Sequence, residues 1–136
     1  MGTVRQQITI EASARQVWNA FTTEDGAKAW WADEARVDAR DGGRVVLARG
    51  EGEERVEERG SFHKVQPTRE IEIAWEVGTS GPSKGTRLQV LVGRTDTEAK
   101  VHVVATGAAL DDDAAREALD AFWKARLLAL RKHLEG

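Results

Sequence analysis

Residues 111–135 read DDDAAREALDAFWKARLLALRKHLE, and the rest of the architecture follows from them. Asp111, Asp112 and Asp113 put capping oxygens and negative charge at the positive end of a helix; Arg131, Lys132 and His133 stand at its negative end. Between them Leu119, Phe122, Trp123, Leu127, Leu130 and Leu134 recur at steps of three and four, a broad apolar stripe. About 25 residues at 1.5 Å per residue make a helix roughly 37 Å long. Only a whole sheet offers enough apolar surface to bury that stripe.

The preceding chain supplies such a sheet. Val4, Gln6, Ile8 and Ile10 alternate with Arg5, Gln7, Thr9 and Glu11, the pattern of a half-buried strand. Ser13 and Gln16 form a capping box ahead of Val17, Trp18, Ala20 and Phe21, and Thr22 or Thr23 caps a second short helix from Glu24 to about Trp31. Strand signals resume at Ala35–Asp38, break at Asp41-Gly42-Gly43, and return at Arg44–Ala48. Arg55–Val65 is a polar strand carrying Val56, Phe62 and Val65. In Glu70–Val77 the residues Ile71, Ile73, Trp75 and Val77 fall on one face, while Glu70, Glu72 and Glu76 face water. A glycine-rich loop, Gly78–Gly85, leads to two hairpin-linked strands, Leu88–Val92 and Lys100–Ala105. The order is strand, two short helices, about six antiparallel strands and a long helix: an α+β fold, a curved sheet of six to seven strands around the C-terminal helix, in one domain over 1–136.

Composition narrows the function classes. With 20 basic and 23 acidic residues the net charge is −3, and no basic patch interleaved with aromatics suggests nucleic acid. No cysteine is present, which excludes disulfides and thiolate chemistry. The N-terminus lacks the apolar stretch of a signal peptide, Gln6 spoils a myristoylation signal, and no apolar run approaches a bilayer span, so the expected location is cytoplasmic, with no membrane partner.

Several strings resemble the Hsp90-ATPase-activator-like family of the START/Bet v 1 (helix-grip) superfamily. Ile8–Ser13 with Val17–Thr22 is similar to its opening "I-x-A-x-x-x-x-V-W-x-A-L-T", Ala29-Trp30-Trp31 to "R-W-W", and Asp41–Arg44 to "P-G-G-R". Gly60–Phe62 through Val65–Pro67 resembles "G-x-V-x-E-V-x-P", and Trp123–Glu135 resembles "G-W-x-x-x-L-x-x-L-x-x-x-L-E". Asp41 stands in place of the family's proline, Val45-Val46 in place of an aromatic-rich strand, and Phe122 in place of the glycine before the tryptophan, where it narrows the space under the helix. The resemblance implies the helix-grip fold. Its relatives bind hydrophobic small molecules, cyclise polyketides or stimulate a chaperone ATPase, and it leaves the activity of this chain open.

The leading expectation is a non-enzymatic domain binding a small hydrophobic or amphipathic molecule between sheet and helix. Its cavity is expected to be lined by Phe21, Trp30, Trp31, Phe62, Trp75, Val90, Val103, Phe122, Trp123 and Leu127, all of which would otherwise serve as core. Glu58 joins this lining if it shares the inward face of Phe62, with Arg44 or another nearby arginine as its partner; otherwise it sits at a bulge or open rim. The rest of the run from Glu51 to Arg59 is expected to be a solvated strand pair. His63, His102 and His133 are expected to face solvent and lack metal-ligand spacing, and Gly78–Gly85 fails the phosphate-loop spacing, so no metal, cofactor or catalytic constellation is indicated. Two alternatives stand. One is a chaperone (Hsp90-type) interaction domain using the outer face around Glu70, Glu72 and Glu76. The other is a small cyclase-like or hydratase-like enzyme using Glu58 as its acid or base. The expected state is a monomer or weak homodimer.

Overall fold

The computed structural model describes residues 2–78 and 80–136; Met1, and Thr79 of the expected Gly78–Gly85 loop, lie outside the described residues. Strand β1 (Thr3–Ile10) is followed by helices α1 (Ala14–Thr22) and α2 (Glu24–Trp30). Strands β2 (Glu34–Val37), β3 (Arg44–Arg49), β4 (Val56–Gln66), β5 (Glu70–Trp75), β6 (Arg87–Arg94) and β7 (Ala99–Thr106) come next, and helix α3 (Asp113–Glu135) ends the chain. All seven strands form one antiparallel sheet in the order β1-β7-β6-β5-β4-β3-β2.

The helix starts are set by local chemistry. Ser13 accepts from Gln16 N while the Gln16 side chain accepts from Ser13 N, the reciprocal box expected there. Thr23, not Thr22, caps α2, accepting from Gly26 N at 3.0 Å. Asp112 caps α3 through Ala115 N at 2.8 Å, and Leu119, Trp123, Leu127 and Leu130 of its stripe are buried. Phe122 and Leu134 stay at the margin of the core.

One irregularity organises the concave face. The β4–β5 register runs through Phe62↔Ile73 and resumes at Lys64↔Glu72, so β4 carries one extra residue. That bulge lets Glu58, Gly60 and Phe62 face inward on one phase and Val65 on the other. Glu58 therefore lies inside and not at a rim, within a run expected to be solvated. Two further expectations are corrected here. Val77 lies past the end of β5 and is 72% exposed, outside the alternation that buries Ile71, Ile73 and Trp75. Glu70 is on the outer face but covered, with Lys64 Nζ at 3.2 Å and Gln89 Nε2 donating at 2.7 Å.

Candidate functional site

Helix α2 ends in a pair of rings and a pair of carbonyls, and both matter. The rings of Trp30 and Trp31 stack, their centroids 5.3 Å apart and planes at 14°. Phe21 meets both edge-on, at 4.8 and 5.4 Å; Trp123 of α3 lies 5.8 Å from Trp31, and Trp75 of β5 6.3 Å from it. The Trp30 indole N–H donates to Ala20 O at 2.9 Å, so this large side chain is buried without an orphaned donor. Phe62, Val90, Val103 and Leu127 are buried in the same continuous core.

The carbonyls of Trp30 and Trp31 are at the C-terminal end of α2, where a helix leaves acceptors unpaired and favours cations. Two arginines from different elements take them. Arg126 of α3 donates to Trp30 O at 2.6 Å, and Arg49, the last residue of β3, donates through Nε to Trp31 O at 2.8 Å. Arg49 then turns its Nη2 to Glu58 Oε1 at 2.8 Å, while Glu58 Oε2 accepts from Ser83 N at 2.8 Å. Glu58 is 0% exposed, and its pair with Arg49 is the most buried ion pair among the described residues. A buried carboxylate persists only where such partners replace water. The partner is Arg49; Arg44, at the other end of β3 and on its outer phase, pairs with Glu76 at 2.9 Å near solvent.

Phe122 does not enter the core. Its ring lies over the Arg49 guanidinium, 4.7 Å from carbon to centroid, and meets Trp123 edge-on at 5.7 Å. Between Phe122, Arg126, Arg49 and the turn Trp30–Asp33 runs an open groove of about 410 Å³, with Lys28 and Ala29 on its rim. Of the expected lining, Trp30, Trp31 and Phe122 border this groove; Phe21, Glu58, Phe62, Trp75, Val90, Val103, Trp123 and Leu127 lie behind it in the packed interior. Arg49 and Arg126 were not singled out from the sequence. The one signal there was an arginine directly after the β3 apolar run Val45–Ala48, in phase with Val45 and Leu47, too weak to separate from surface charge. His63 and His133 face solvent as expected, and His102 is half-buried on the outer face of β7.

A curved antiparallel sheet closed over a long C-terminal helix, with a groove at the helix mouth, defines a helix-grip protein. The chain belongs to the family described as activator of Hsp90 ATPase homolog 1-like protein, which it matches over residues 11–135. Among solved structures, the Aha1 dimer from Colwellia psychrerythraea is similar at 20% identity, covering 99% of this chain and 97% of that one, with a TM-score of 0.83. A protein from Mesorhizobium loti aligns at 16% identity over 98% and 96% of the two chains, TM-score 0.83. DynU16, from the dynemicin biosynthetic locus, aligns at 16% identity over 99% of this chain but 48% of its own, TM-score 0.85. At such identities these likenesses speak for the fold. No curated protein matches the sequence.

Proposed function

We propose that this chain is a binding domain for a small amphipathic molecule, held between the sheet and the C-terminal helix and seated in the groove beside α2. One observation carries the reading: the groove joins an aromatic wall, Phe122 and the Trp30–Trp31 turn, to guanidinium groups anchored from two other elements. Concave sites of a few hundred Å³ with an apolar wall and a few fixed polar groups are the usual form of a small-molecule site. The expected lining residues behind the groove serve as its rigid backing.

The test is native mass spectrometry of the purified protein, together with a thermal-shift screen of lipids, polyketides and aromatic metabolites. A co-purifying molecule, or a compound that raises the midpoint with concentration as mass action requires, supports the reading. A protein that is empty and unmoved by the whole screen removes it.

Catalysis by Glu58 is disfavoured by its geometry, since Arg49 and Ser83 N already occupy both carboxylate oxygens. The chaperone reading rests on the family description alone, and pull-down with the cognate Hsp90 decides it.

A further inference from the structure

The groove beside α2 has a chemical preference that its apolar wall does not explain. Arg49 and Arg126 reach it from opposite sides, and each spends one N–H on consecutive carbonyls of the same helix end. Helix capping thus accounts for one donor of each guanidinium, and Glu58 for one more of Arg49. The Nη1 of Arg49 is buried and has no acceptor among the described residues. A buried donor of this kind is costly, and most such groups in folded proteins are satisfied by something. Nη1 itself is covered, while the Arg49 side chain as a whole keeps 18% of its surface exposed and borders the groove.

Charge points the same way. The groove carries Lys28, Arg49 and Arg126 against Asp33 on its rim and Glu58 beneath, an excess of one positive charge in a chain whose net charge is −3. Asp33 is itself engaged, its Oδ2 accepting from Gly50 N at 2.9 Å. Guanidinium forks held in place by other bonds suit planar, bidentate acceptors, and such charge-assisted bonds are about twice as strong as neutral ones. Phe122 covers the Arg49 guanidinium and shields it from bulk water, which strengthens its pull on an incoming anion.

We propose that the groove selects a ligand with a carboxylate headgroup, received by the Arg49 guanidinium, with Nη1 brought to it by a small shift of the covering side chains, and by the remaining N–H groups of Arg126, with its apolar body against Phe122. This rests on the binding reading above and adds the chemical class of the ligand.

The test uses two isosteric probe pairs, 2-naphthoate with 2-naphthamide and decanoate with decanamide, titrated into the ¹⁵N-labelled protein and followed by amide and side-chain N–H chemical shifts. The expected result is that each carboxylate binds at least about tenfold tighter than its amide, the yield of one charge-assisted hydrogen bond. Its shifts should centre on Trp31–Asp33, Arg49 and Phe122. R49K keeps a cation beside Glu58 but removes Nη1, and R126Q removes the second fork; each should cut the carboxylate preference several-fold. If carboxylate and amide bind equally in the groove, the headgroup inference falls while the binding reading stands. If none of the four probes binds at millimolar concentration, the headgroup inference falls, and the binding reading is decided by the wider screen. Should R49K give a collapsed spectrum, R126Q decides: an unchanged preference there overturns the proposal.

Discussion

Arg49 holds three things at once: the carbonyl end of α2, the buried carboxylate of β4 and the ring of Phe122. Removing one member of a buried pair leaves the other charge stranded, which typically costs about 3–5 kcal/mol, whereas replacing both with apolar groups is often neutral. R49M should therefore lower the unfolding free energy by about 3 kcal/mol or more, and R49M combined with E58L should recover most of that loss. Urea denaturation of the three proteins checks this; equal losses in the single and double variants would mean that Arg49 matters through α2 and not through Glu58. The sequence located the carboxylate because Glu58 shares the phase of Phe62. It left the partner undetermined, because the pairing of β3 with β4 was not known; the register that sets Leu47 opposite Glu58 puts Arg49 on the inward phase and Arg44 on the outer one.

Glu70 offers a milder electrostatic case. The hydrogen bond from Gln89, helped by Lys64, holds its carboxyl below the ordinary glutamate value against a smaller opposing effect of burial. A depressed folded value means the stabilisation is fully present above the ordinary unfolded value of about 4.3 and fades as pH falls through the folded one. The stability difference between wild type and E70Q should thus be constant from pH 7 to 5 and shrink on further acidification. A difference that stays flat to pH 3 would contradict the assignment. Alternation alone put Glu70 in open water; Lys64 reaches it only because the bulge places that side chain on the outer face.

At the scale of elements, the bulge in β4 and the glycine before it work together. Gly60 pairs with Trp75, and a Cβ at Gly60 would come within 2.6 Å of Ala74 O and 3.0 Å of the Trp75 ring. The missing side chain lets the indole approach β4 closely while it meets Trp31 edge-on. G60A forces backbone or ring to move, an overpacking effect of about 1–3 kcal/mol, and should weaken both stability and the near-ultraviolet dichroism of the tryptophans. By contrast S13A, which loses the reciprocal cap of α1, should cost about 1 kcal/mol and leave the aromatic signal intact. Capping boxes, glycine turns and the α3 stripe were legible because they are local patterns. The end of β5 was not: Val77 continues the alternation in sequence, yet the chain has already left the sheet, and only pairing with β6 fixes where.

Across the whole molecule, the first strand pairs with the last, Thr3 opposite Thr106 and Ile10 opposite Ala99, so the sheet closes only after nearly the whole chain is made. The ring cluster joins α2, α3 and β5 at one point, with Trp123 touching both Trp30 and Trp31. Helix α3 also buries Leu119, Leu127 and Leu130 in the core it shares with the sheet, so loss of Trp123 should not free α3 alone while the sheet persists. W123A is expected to cost about 3–5 kcal/mol, as truncation of a buried aromatic does, and to keep a single cooperative transition. Far-ultraviolet dichroism reports the sheet and helices together, and tryptophan fluorescence reports the remaining cluster. Coincident urea midpoints for the two signals, both shifted down from wild type, would show that the cluster couples the helices to the sheet. A fluorescence transition that precedes the loss of secondary structure would instead mean that α2 and its groove can loosen while the sheet stays folded, and the groove would then be a mobile element and not the rigid seat that the anchored arginines imply.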